Sequence, residues 1–91
     1  MGSKTQELIQ ILTEIIFLLE EEGETHWVKW MGRAKTRLED RDYSGIEHLL
    51  RAYGGMGSFN DLMVYPERQD QLEALRTQAW ELAEEIKGVV K

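Results

Sequence analysis

Leu8-Ile9-Gln10-Ile11-Leu12-Thr13-Glu14-Ile15-Ile16-Phe17-Leu18-Leu19 is the stretch that decides how this chain folds. Leu8, Leu12, Ile15 and Leu19 recur at helical spacing, and Ile9, Ile11, Ile16 and Leu18 flank them. On a wheel advancing about 100° per residue, these side chains cover roughly half the circumference. A stripe that wide belongs to a helix packed on two sides, either centrally in a bundle or against another chain. Phe17 falls opposite it, among Gln6, Gln10, Glu14 and Glu21. The run is too short, and too interrupted by Gln10, Thr13 and Glu14, to span a bilayer. Ser3 and Gln6 have the form of a capping box that starts the helix, and Gly23 has the form of its stop. Met1-Gly2-Ser3 also has the form of a cloning remnant, so the cap carries little weight.

Further along, Thr25 is placed to cap a second helix that runs to about Asp40. Trp27, Met31, Ala34 and Leu38 give it a narrow apolar face with Trp30 at the edge. Lys29, Arg33 and Arg37, four residues apart, form a basic stripe beside Trp30. Basic residues interleaved with an aromatic ring suit nucleic acid or a phosphorylated ligand. The plainer reading is a solvated face neutralised by the Glu-rich segments. Asp40-Arg41-Asp42-Tyr43 reads as a connection, and Ser44-Gly45-Ile46-Glu47 as a second capping box. A short third helix then turns Ile46, Leu49, Leu50 and Tyr53 inward and stops at Gly54. Pro66 extends Tyr65 and suits the first turn of a last helix. Leu72, Leu75, Ala79, Leu82, Ala83 and Ile86 line one face of that helix, with Trp80 at the margin.

Between the third and last helices lies Tyr53-Gly54-Gly55-Met56-Gly57-Ser58-Phe59-Asn60-Asp61. Glycine reaches positive φ without the steric cost other residues meet, and three stand here within four positions. Tyr53, Gly55, Met56, Gly57, Ser58, Phe59, Asn60 and Asp61 are therefore the candidate partner- or ligand-binding residues, with Trp30, Arg33 and Arg37 a secondary set. Connections longer than about 12–15 residues are usually functional or disordered, and this one sits near that length. Met56, Phe59, Leu62, Met63, Val64 and Tyr65 make it too apolar to stay in water, so it packs on the helices with a short turn that Ser58 caps. Glycine-rich backbone at a helix start can cradle an anion. Here no P-loop lysine follows and no strand precedes. Asp61 adds negative charge where an anion would sit. The competing structural reading is that the glycines only close a helix and permit close backbone approach.

The 91 residues make one helical domain with a net charge of −6. An acidic surface favours solubility or a basic partner, and it opposes nucleic-acid binding. With no cysteine there is no disulfide or thiolate metal site. That absence, and the lack of a signal-peptide pattern, point to the cytoplasm. His26 and His48 sit on different helices, and neither His-x-x-x-His nor Glu-x-x-His occurs. No catalytic residue, metal site or cofactor is therefore expected, and His26 and His48 read as ordinary helix residues. The acidic run Glu20-Glu21-Glu22 with Glu24 occupies the negative end of a helix dipole, so a compensating Lys or Arg is expected nearby.

The segment from Leu49 to Leu62, with Gly54-Gly55-Met56-Gly57-Ser58-Phe59-Asn60-Asp61-Leu62 at its centre, resembles the signature of a small bacterial family of unknown function. The resemblance is specific over residues 44–64 and loose over the first two helices. It implies a bacterial, intracellular origin and an α-helical fold, and carries no activity or substrate.

These readings converge on an all-α fold: an irregular four-helix bundle with a short third helix and a packed glycine-rich loop. The expected function is a small, acidic, non-enzymatic protein-interaction module, toxin-neutralising or regulatory. The alternatives are an anion or small-ligand sensor that combines the loop N–H groups with Arg33 or Arg37, and a homodimer through the first helix. Neither nucleic acid nor membrane is expected as a partner.

Overall fold

In the computed structural model, which describes residues 2–54 and 58–90, four helices follow one another: α1 (Ser3–Glu21), α2 (Thr25–Glu39), α3 (Ser44–Leu50) and α4 (Pro66–Val90). A 3-10 turn, Phe59–Asp61, precedes α4, and no strand occurs among the described residues. The arrangement is an all-α bundle. α1 packs on α2 and α4, and α3 closes the other side between α2 and α4.

The broad arc of α1 is covered from within the chain. Leu8, Leu12, Ile15 and Leu19 are fully enclosed, and Ile9 and Ile16 pack partly buried at the edges. The apolar area that suggested a homodimer is thus covered by α2 and α4, and Phe17 is what the helix leaves exposed. Ala79 and Ala83 are the small residues of α4 in the same core. The pair runs antiparallel. Lys4 meets Glu85 at 2.6 Å near one end, and Arg68 meets Glu21 at 3.4 Å at the other.

Both turns flanking α2 have the same hydrogen-bonded form. After α1 the Gly23 N–H donates to Glu20 O, and the Glu24 N–H to Leu19 O, with Gly23 at φ +74°. After α2 the Arg41 N–H donates to Leu38 O, and the Asp42 N–H to Arg37 O, with Arg41 at φ +61°. This two-bond helix ending needs a left-handed residue after the cap. Gly23 adopts that conformation freely, whereas Arg41 carries a Cβ into it.

The helix N-caps fall one residue ahead of those read from the sequence, at Gly2, Glu24 and Tyr43. Ser3, Thr25 and Ser44 are the first helical residues, and the caps before them make no side-chain cap bond. Backbone carbonyls one residue earlier take the first bonds, with Gln6 N–H on Gly2 O and Val28 N–H on Glu24 O. Before α3, the carboxylate of Asp42 accepts the Ser44 N–H at 3.0 Å. The Ser44 hydroxyl first, and then that backbone bond, hold the Asp42 carboxyl below its ordinary range. Gly45 is the point of closest approach between α2 and α3. A Cβ there would lie 2.9 Å from the carbonyl oxygen of Ala34.

Candidate functional site

The glycine loop follows α3 and closes on itself, the Phe59 N–H donating to Ala52 O at 2.8 Å. Gly54 has the expected left-handed φ of +88°, but it does not stop the helix. α3 ends at Leu50 with its cap at Arg51, and the Ala52 and Tyr53 N–H groups continue as turns, donating to Leu49 O and Leu50 O. Gly55, Met56 and Gly57 lie outside the described residues. Phe59 is fully buried, so it anchors the loop and does not face a partner. Its ring meets Tyr53 edge-on at 5.8 Å and Trp27 at 5.3 Å. Ser58 is extended and its Oγ is buried without a hydrogen-bond partner, which corrects its reading as a side-chain cap. Asn60 and Asp61 are exposed on the 3-10 turn.

Holding this loop is a residue the sequence reading passed over. Arg76 of α4 is buried and donates to Phe59 O at 2.8 Å and Leu62 O at 3.2 Å, with its guanidinium over the Phe59 ring. The Tyr53 hydroxyl donates in turn to Arg76 O at 2.7 Å. Burial pushes the Tyr53 phenol far up, against the charge of Arg76. A signal was present. Arg76 stands four residues after Leu72 and three before Ala79, within the apolar stripe of α4. A charge on that stripe needs acceptors, and the loop carbonyls are those acceptors.

Beyond the turn the chain is extended from Leu62 to Tyr65, and its side chains alternate. Leu62 and Val64 turn inward, while Met63 and Tyr65 are 73 % and 68 % exposed. The backbone is fastened from several sides. Val64 N–H donates to Gln69 Oε1 at 2.9 Å, and Tyr65 N–H to Glu22 Oε1 at 3.0 Å. Arg68 pairs with the other oxygen of Glu22 and with Glu21. This is the cation expected opposite the acidic end of α1. The Tyr65 N–H first, and then Arg68, hold the Glu22 carboxyl below its ordinary range, against the effect of burial.

The secondary set is not brought to the loop. Arg33 and Arg37 line an open depression with Lys29, Gly32 and Thr36, which no described loop residue enters. Trp30 faces α3, where its ring stacks on His48 at 4.5 Å and 19°. Its Nε1 donates to His48 O at 2.9 Å, and His48 Nε2 donates to Trp30 O at 3.1 Å. The loop N–H groups of residues 55–57, which a sensor would combine with Arg33 or Arg37, lie outside the described residues. No group of three or more His, Asp or Glu with metal-binding placement occurs among the described residues. Among the described residues, no helix is long and apolar enough to cross a membrane.

These features define a small helical domain whose extended connection is fastened between two helices. A family described as a domain of unknown function, DUF6966, matches residues 20–73, and the chain belongs to that family. The match runs from the acidic end of α1 through the first two turns of α4, so it contains Glu22, the glycine loop and Arg68. No curated protein and no solved structure matches the chain.

Proposed function

We propose that this protein is a small non-enzymatic protein-interaction module, acting inside bacterial cells as a regulatory or toxin-neutralising partner. Its docking surface is the extended segment that follows the glycine loop. The observation that carries this reading is the outward display of Met63 and Tyr65 on a backbone fastened by Glu22, Gln69 and Arg76. Tyrosine and methionine are enriched where protein interfaces are most buried. Holding them in place beforehand lowers the ordering cost of association. The bacterial, intracellular setting follows from the resemblance of residues 49–62. Phe59 drops out of the surface, and Met63 and Tyr65 replace it.

Affinity capture from cells that carry the protein tests the reading. Tyr65→Ala and Met63→Ala are each expected to reduce recovery of the captured partner about tenfold or more, as for an interface residue worth at least about 1.4 kcal/mol. Their melting temperatures should match the parent. Equal recovery by the double variant would refute the assignment.

A further inference from the structure

The cations of this chain divide into two groups. Lys4, Lys35, Arg68 and Arg76 each have a carboxylate within 4.0 Å. Lys29, Arg33, Arg37, Arg41, Arg51 and Lys87 have none among the described residues, although Asp and Glu outnumber Lys and Arg by 17 to 11. Glu21 and Glu22, at the acidic end of α1, are paired with Arg68. Three of the cations without a nearby carboxylate, Lys29, Arg33 and Arg37, line one open depression on α2 of an acidic protein. The imidazole of His48 senses this positive charge. Burial holds the ring below its ordinary pKa against the hydrogen bond to Trp30 O, and the charges of Arg37, Arg33 and Arg51 add to the depression. The carboxylate of Asp42 also feels Arg37.

The shape of this face narrows the occupant. Lys29, Arg33 and Arg37 form one four-residue ridge, with about 6 Å between successive Cα positions. Gly32 and Thr36 form the low row beside it, and nothing lies within 4 Å of where a Cβ on Gly32 would be. A ridge of cations beside a groove of small residues receives the side-chain ridge of another helix. On that helix, carboxylates four residues apart repeat at the same interval. Single-stranded nucleic acid fits less well, because its bases need an aromatic platform and Trp30 is stacked on His48 and hydrogen-bonded to α3.

We propose that the Lys29–Gly32–Arg33–Thr36–Arg37 face of α2 docks an acidic helical segment of a protein partner, with carboxylates at four-residue spacing. This surface is separate from the Met63–Tyr65 display and stands without it. The test is titration of the intact protein with a helical peptide of repeating Glu-Ala-Ala-Ala, followed by anisotropy. The comparators are a peptide of equal charge with its glutamates contiguous and an oligothymidylate of equal charge. The spaced peptide should bind saturably, and about tenfold more weakly at 0.3 M than at 0.05 M salt, as screening requires. Lys29→Gln/Arg33→Gln should lose about tenfold or more while keeping its helical circular dichroism. Tyr65→Ala and a Lys4→Gln control should bind as the parent does. No saturable binding, or equal binding by the double variant, overturns the proposal. Equal or tighter binding of the contiguous peptide or the oligothymidylate also overturns it, in favour of nonspecific anion or nucleic-acid binding.

Discussion

Phe59 and Arg41 are the two residues whose surroundings set the largest local expectations. Phe59 fills the space between Trp27, Tyr53 and Arg76, and its burial is complete. Phe59→Ala is expected to cost about 3–5 kcal/mol in chemical denaturation, the range for removing a core phenylalanine. A loss under about 1 kcal/mol would show that the loop is not held by this ring. Arg41 presents the opposite case. It is exposed and holds the left-handed conformation that Gly23 holds at the equivalent turn. Arg41→Gly should relieve the clash of its Cβ with the following backbone and stabilise by about 1 kcal/mol. The glycine also gains freedom in the unfolded chain, which offsets part of this.

Two glycines on neighbouring elements make opposite predictions at the next scale. Gly45 lies against α2, where an added Cβ would meet the Ala34 carbonyl at 2.9 Å and the Cβ of Arg37 at 3.1 Å. Neither backbone can yield without separating the helices. Gly45→Ala should therefore destabilise by about 1–3 kcal/mol, as other overpacking changes do. Gly32 sits inside α2 with open space around it, so Gly32→Ala should stabilise by about 0.5–1 kcal/mol through helix propensity. Thermal melts of the two variants should move in opposite directions. Shifts of the same sign would mean that the α2–α3 approach is looser than described.

For the molecule as a whole, the closing contact between distant segments is Glu22, which joins the end of α1 to Tyr65 and Arg68. Its folded carboxyl titrates below the ordinary value of 4.5. The contribution is therefore complete above that pH and disappears as the pH falls through the lowered folded value. Melting temperature should fall with acid below about pH 4.5, as for any carboxylate stabilised in the folded state. Glu22→Gln should show a flatter dependence over the same interval while being less stable at neutral pH. Parallel curves for the two proteins would remove Glu22 from this role.

What the sequence determined by itself was the set of elements and the face each one buries. The arc from Leu8 to Leu19, the stripe from Leu72 to Ile86, Gly23 as a helix stop, and Pro66 as a helix start all follow from local periodicity and backbone sterics. The third helix instead ends at Leu50, ahead of Gly54. The caps at Ser3, Thr25 and Ser44 were misplaced by one residue, because a backbone carbonyl or the Asp42 carboxylate competes for the same N–H groups. Only the tertiary structure decided which loop residue is buried and which is displayed. Phe59 and Tyr65 are both aromatic residues in an apolar connection, and no periodicity separates them. The choice depends on Arg76 and Glu22, 17 and 43 residues from the atoms they hold. Contacts of that separation form between side chains that only the packed bundle brings together.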